Sequence, residues 1–133
     1  MNPTISSEIT IRVRYAEADR MGYLHHANYA VYFEQGRVEL LRARGFAYRD
    51  LEDQGYLMAL THLSIRYHKP ARFDDELRLV TTLGRATMVS VEHAYALHRG
   101  EDLLAQGTTT LVCVTREGTV QKLHPELLPA HLR

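Results

Sequence analysis

The run Glu17-Ala18-Asp19-Arg20-Met21-Gly22-Tyr23-Leu24-His25-His26-Ala27-Asn28-Tyr29 leads into Phe33, Gly36, Leu40 and Ala43, which follow Tyr29 at steps of four and three. That spacing sets them on one stripe of an α-helix, so a helix is expected from Asn28, as its cap, to a stop at Gly45. Gly36 costs such a helix about 1 kcal/mol relative to alanine, and its presence predicts close packing against a neighbouring surface. Upstream, Ile9, Ile11, Val13 and Tyr15 alternate with polar residues and predict a strand ending near Tyr15.

Downstream the period returns to two. Leu57 to Tyr67 reads as a second strand that stops before Pro70, Leu77 to Leu83 as a third, Val89 to Leu97 as a fourth and Leu104 to Val114 as a fifth. A short helical or irregular piece is expected around Tyr48 to Gln54, and a terminal turn of helix around Pro125 to Pro129. Arg99-Gly100-Glu101 and Arg116-Glu117-Gly118 read as hairpin turns, and links this short imply antiparallel neighbours. The expected class is therefore α+β: a strand, a long helix, then four strands in a meander. One helix covers only one face of a five-stranded sheet, which leaves the other face or an edge for a second copy of the chain.

At 133 residues the chain fits a single domain spanning 1–133, and no linker-like stretch divides it. Sixteen basic and 16 acidic residues balance to zero formal charge, which disfavours nucleic acid and other polyanions. Cys113 is the only cysteine, so no intrachain disulfide is possible and a cytoplasmic setting is expected. The N-terminal residues lack the basic start and apolar run of a signal segment, and membrane insertion is not expected.

The chemical groups narrow by type. No G-x-S-x-G elbow surrounds Ser6, Ser7, Ser64 or Ser90, and Cys113 lies in an alternating strand as a small buried residue. Gly22 and Gly84 lack phosphate-loop spacing. Adjacent His25 and His26 lack the i, i+4 pattern of a zinc site and are expected to face apart, so neither metal nor cofactor is expected. Asp19 and Glu17 remain, beside a helix start whose unpaired N–H groups favour developing negative charge. That pairing suits attack on a carbonyl.

Glu17-x-Asp19-x-x-Gly22, His26-Ala27-Asn28-Tyr29 and Phe33-Glu34-x-x-Arg37 together resemble the hotdog-fold acyl-CoA thioesterases of the 4-hydroxybenzoyl-CoA thioesterase type, and most of all the bacterial branch associated with the Tol-Pal envelope system. Tyr67-x-x-Pro70-Ala71-Arg72-x-Asp74-Asp75 and Val112-Cys113-Val114 extend the resemblance over nearly the whole chain. The resemblance implies a five-stranded antiparallel sheet wrapped around one long helix. It implies hydrolysis of an acyl-CoA, or of an acyl group on acyl carrier protein, by a homodimer or homotetramer with the sites between subunits. Asp19 then matches the catalytic carboxylate, as nucleophile or as base for water, and the His26 N–H matches the oxyanion donor, with its imidazole in support. Tyr23 and His25, which depart from the residues familiar at their positions, would meet the acyl group. Arg85 matches a basic position that holds CoA phosphates, with Lys69 and Arg72 as weaker contributors. Glu34 is the rival carboxylate, because another hotdog branch carries its acid on the helix. A hydratase of the same fold needs a helix motif that is absent here; a non-catalytic acyl-CoA or acyl-carrier-protein binding module is the alternative.

Overall fold

The computed structural model describes residues 4–133. β1 (Ser6–Arg12) is followed by the long helix α1 (Ala27–Ala43), the short helix α2 (Tyr48–Asp53), and the strands β2 (Leu57–Tyr67), β3 (Glu76–Ala86), β4 (Ser90–Arg99) and β5 (Asp102–Val114). The strands form one antiparallel sheet in the order β1-β3-β4-β5-β2. This is the expected α+β class with the expected element order, and a long helix lies across the sheet's apolar face. Single 3-10 turns at Tyr15–Glu17, Pro125–Leu127 and Ala130–Leu132 complete the described chain.

Two expectations are corrected. Only β3, β4 and β5 form a meander; β2 crosses the sheet to pair with β5, from Leu57 opposite Val114 to Tyr67 opposite Ala105. β2 is joined to β3 by the eight residues 68–75, not by a tight turn, and that link is long enough to carry the chain across the sheet to β3. The first strand also ends at Arg12, not near Tyr15. Val13 is still buried and donates its N–H to the Asp75 carbonyl at 3.0 Å, but the chain then turns and leaves Tyr15 exposed, its ring edge-on to Phe73.

α1 packs on β1, β3 and β4. Tyr29, Tyr32, Phe33, Gly36 and Leu40 are its buried residues, so the four-and-three stripe is the face that meets the sheet. Phe33 stacks on Tyr95 at 4.2 Å and an interplanar angle of 2°. At Gly36 a Cβ would collide with Thr81 Oγ1 and lie 2.7 Å from Leu79 Cδ2, so only glycine admits this approach of helix to sheet. Leu77, Leu79, Leu97 and Leu104 complete that core. Because α1 lies over the β1 side, Leu60, Leu63 and Tyr67 on edge strand β2 stay exposed. No described helix is long and apolar enough to cross a membrane.

Candidate active site at the start of the long helix

Glu17 anchors the loop between β1 and α1. The residue is only 7% exposed; Oε1 accepts from the Arg14 N–H at 2.8 Å and from the Tyr32 hydroxyl at 2.8 Å, and Oε2 accepts from the Arg14 guanidinium at 3.2 Å. Burial would raise the carboxyl's pKa, but those donors outweigh it and hold the group below the ordinary carboxylate range. Burial and the same carboxylate push the Tyr32 hydroxyl well above its usual value. The Glu17 carbonyl accepts in turn from the His25 N–H at 2.8 Å and from Asn28 Nδ2 at 3.0 Å. One residue thus ties the loop to the helix through both its side chain and its backbone.

Asp19 sits in a closed turn. Ala18 bridges to Leu24, the Asp19 N–H donates to the Tyr23 carbonyl at 2.8 Å, and Gly22 takes φ +80°, which a side chain would strain. Asp19 Oδ1 accepts from Met21 N at 2.8 Å and from Tyr23 N at 3.1 Å. Among the described residues both bonds fall on Oδ1, so Oδ2 is left for another partner. The turn is latched to the approach to β3: Leu24 N donates to the Ala71 carbonyl at 2.8 Å and Phe73 N to the Gly22 carbonyl at 3.1 Å. Tyr23 bridges to Arg72, whose guanidinium lies 4.8 Å from the centre of its ring.

The helix start differs from expectation in its capping. Asn28 lies inside α1 and reaches back to the Glu17 carbonyl instead of capping; the N-cap position is His26, with no side-chain cap bond, and His25 just before it supplies the acceptors, its Nδ1 accepting from Ala27 N at 3.2 Å and its carbonyl from Asn28 N at 2.9 Å. His25 and His26 were expected to face apart, yet their rings stack at 4.2 Å because both flank the tight entry into α1. The His26 N–H donates to no described residue, and the His26 carbonyl accepts from the Tyr67 hydroxyl at 3.0 Å. Edge strand β2 therefore touches the site. Tyr32 and Tyr67 are the partners that sequence reasoning missed; a tyrosine three positions after Tyr29 on the helix was the available signal for the first, and the second stood only in the Tyr67-x-x-Pro70 motif, which gives no sign of a contact with the helix start.

The remaining candidates lie apart. Arg85 is exposed near the end of β3, nine residues beyond Glu76, which adjoins the Asp19 turn. At about 3.3 Å per residue that is roughly 30 Å along the strand, so one protomer does not bring Arg85 to Asp19. Glu34 is exposed on α1 and faces Arg37 at 3.9 Å. Lys69 pairs with Asp102 at 3.1 Å. Cys113 is fully buried, and burial raises its thiol pKa. No group of three or more His, Cys, Asp or Glu side chains among the described residues is arranged to hold a metal ion.

Comparison with known proteins adds to this geometry. The family model described as the thioesterase superfamily matches residues 21–106. YneP of Bacillus subtilis (strain 168) is 33% identical over 112 residues, which cover 84% of this chain and 81% of that protein. The acyl-CoA thioester hydrolase YbgC of Escherichia coli O6:H1 is 28% identical over 120 residues, or 90% and 87% of the two chains. Among solved structures, the DHNA-CoA thioesterase of Staphylococcus aureus superposes with a TM-score of 0.86 at 29% identity, covering 89% of this chain and 80% of that one.

Proposed function

The chain belongs to the thioesterase superfamily and is an acyl-CoA thioester hydrolase, and we propose that Asp19 and the start of α1 perform the hydrolysis. The observation that carries this reading is the pair of unfilled valences in one loop: Asp19 keeps Oδ2 free while its own turn holds Oδ1, and His26 keeps its N–H free at the positive end of a 17-residue helix. As a base, Asp19 takes a proton from water, whose oxygen bonds to the thioester carbon. The resulting oxyanion is met by the His26 N–H. Collapse breaks the C–S bond and the thiolate leaves as the CoA thiol, taking the proton back from Asp19. As a nucleophile, Asp19 instead bonds to the thioester carbon, the C–S bond breaks and the CoA thiolate leaves, and water then cleaves the resulting anhydride to the free acid and the Asp19 carboxylate. Both routes use the same two groups, and an oxyanion donor of this kind is commonly worth about 10²–10³ in rate. The exposed His26 imidazole supports proton transfer; Tyr23 and His25 line the approach of the acyl group.

Two copies pairing antiparallel along β2 would cover Leu60, Leu63 and Tyr67 and would complete the site. β2 is open on one side, and its Tyr67 end carries the bond to His26. Its Leu57 terminus lies at the same end of the sheet, along the strand direction, as Val114, Ser90 and Ala86. A two-fold axis across β2 therefore sets Arg85 of the partner subunit toward the first subunit's helix start, where its guanidinium can fork onto a CoA phosphate. An acyl group on acyl carrier protein is the second substrate form. The free thiol of Cys113 suits a cytoplasmic setting.

Release of free thiol from a panel of acyl-CoAs tests the reading. Asp19→Asn should lower kcat by about 10²–10⁴ while Glu34→Gln stays near the parent. The reverse result moves the carboxylate to the helix. Tight acyl-CoA binding with no thiol release from the parent protein would instead make it a binding module.

A further inference from the structure

Ten residues along α1 from its start, about 15 Å at 1.5 Å per residue, the helix faces a partly enclosed space away from the Asp19 loop. This cavity, of about 70 Å³, lies between the C-terminal half of α1, the sheet and the C-terminal segment, with apolar walls from Leu40, Leu111 and Leu123. Polar groups also line it: Arg37, Arg44 and His93, with His124 and the tyrosines Tyr48 and Tyr56. His93 is 8% exposed, and its Nδ1 is buried with no hydrogen-bond partner. The Arg37 side chain is 13% exposed, and its one ion-pair partner among the described residues is the exposed Glu34 at 3.9 Å, beyond hydrogen-bond distance. Burial lowers the pKa of Arg44, and the nearby Arg133 adds a further positive charge.

Such a cavity is at odds with the rest of the interior. An apolar chamber needs no guanidinium groups, and a buried cation without a matched anion is costly, as is a buried ring nitrogen without a partner. A ligand that removes both penalties carries an anion for the arginines, an acceptor for an imidazole N–H, and an apolar body for the leucines. We infer that this cavity binds a small apolar carboxylic acid, its carboxylate between Arg37, Arg44 and His93 and its hydrocarbon end against Leu40, Leu111 and Leu123. A planar carboxylate matches the guanidinium fork, which a monatomic ion does not. The modest volume favours a short chain, since a cavity of about 150 Å³ is filled by benzene. Burial, then the positive charge of Arg37 and Arg44, lowers the His93 pKa to about 4, so the imidazole meets the ligand as a neutral hydrogen-bond donor. The acid released by the hydrolysis proposed above belongs to this class, but the binding does not depend on that reading.

The test titrates butyrate and hexanoate, and the matched 1-butanol and 1-hexanol, into the full chain at neutral pH. Imidazole nitrogen shifts are followed by NMR, with the His93 signal assigned through His93→Gln. The acids should bind at least tenfold tighter than the alcohols and shift His93. Arg37→Met should weaken acid binding at least tenfold, and Asp19→Asn should leave it unchanged. Arg44→Met, at a half-exposed position, gives the same reading should Arg37→Met fail to fold. Equal binding of acid and alcohol, no saturable shift at His93, or acid binding lost in Asp19→Asn and kept in Arg37→Met would each overturn the proposal. The last result would place the acid in the proposed active site instead, and none of these measurements needs turnover.

Discussion

The two halves of α1 handle polar groups in opposite ways. At the N-terminal end the Glu17 carboxylate is buried yet receives three hydrogen bonds, and its carbonyl receives two more. The Asp19 turn and the helix start leave the His26 N–H and Asp19 Oδ2 without a partner among the described residues. Toward the C-terminal end Arg37 and His93 enter an apolar cavity without a close partner. The first region has its charges satisfied from within the chain and keeps one donor and one acceptor for chemistry. The second leaves its charges for something the chain does not supply. A free group is thus meaningful where its neighbours are saturated, and a cluster of free groups is meaningful where water is excluded.

The sharpest way to break the first half is Glu17→Ala. It strands the Arg14 N–H and the buried Tyr32 hydroxyl and loosens the Asp19 turn at its root. Loss of those partners should cost about 2–4 kcal/mol in urea unfolding, and kcat should fall at least tenfold. Glu17→Gln keeps an acceptor at Oε1 for both donors and should recover most of the stability. Were the two variants equally stable, the carboxylate network would not be what holds this end.

Much of this contrast was legible in the sequence on one side only. Tyr29, Phe33, Gly36 and Leu40 announced the buried face of α1 because helical spacing is local, and the alternation of Leu77 to Leu83 announced β3 for the same reason. The position of β2 was not legible: Leu57 to Tyr67 carries the pattern of a strand, but its partner β5 lies some 45 residues away, and pairing is settled by where α1 and α2 deliver the chain. Asp19, His26 and Gly22 stood out by residue type and resemblance. Capping was misjudged because Asn28 and His25 each carry a suitable acceptor, and only the Glu17 carbonyl, eleven residues before Asn28, decides between them. The cavity could not be foreseen at all, since Arg37, Arg44 and His93 come from a helix and a strand that meet only in the fold.

A second measurement separates the halves by pH. His93 has a folded pKa of about 4 against an ordinary value of 6.5, so between those limits the unfolded chain binds more protons and stability falls as pH is lowered. In carboxylate-free buffer, the parent should lose about 2 kcal/mol from this group between pH 7 and pH 5, at about 1.4 kcal/mol per pH unit once the unfolded histidine protonates. His93→Leu should not. Glu17 has the same sign but a lower window: its folded pKa is depressed below 4.5, so its contribution persists until the pH drops through that range. The cavity end should therefore weaken first on acidification and the loop end last. Parallel stability curves for parent and His93→Leu would show that the imidazole is not held neutral by its surroundings.

The smallest expected effect concerns His25, where the two accounts of one side chain meet. As a cap, its Nδ1 gives Ala27 N an acceptor at the helix start; the residue is exposed, so water replaces it at modest cost. His25→Ala should lower stability by about 0.5–1 kcal/mol, and His25→Asn, which restores an acceptor, should regain most of that. If capping is the whole role, kcat/KM on every acyl-CoA should change in step with that small loss and regardless of acyl chain. If the ring also meets the acyl group, His25→Asn should restore stability while kcat/KM stays depressed for some acyl chains and not for others. The stacked pair makes the second outcome informative in a further way: His25 supports one face of the His26 ring, so a uniform fall in kcat that the asparagine does not rescue would trace to the His26 imidazole losing its support, and not to a substrate contact.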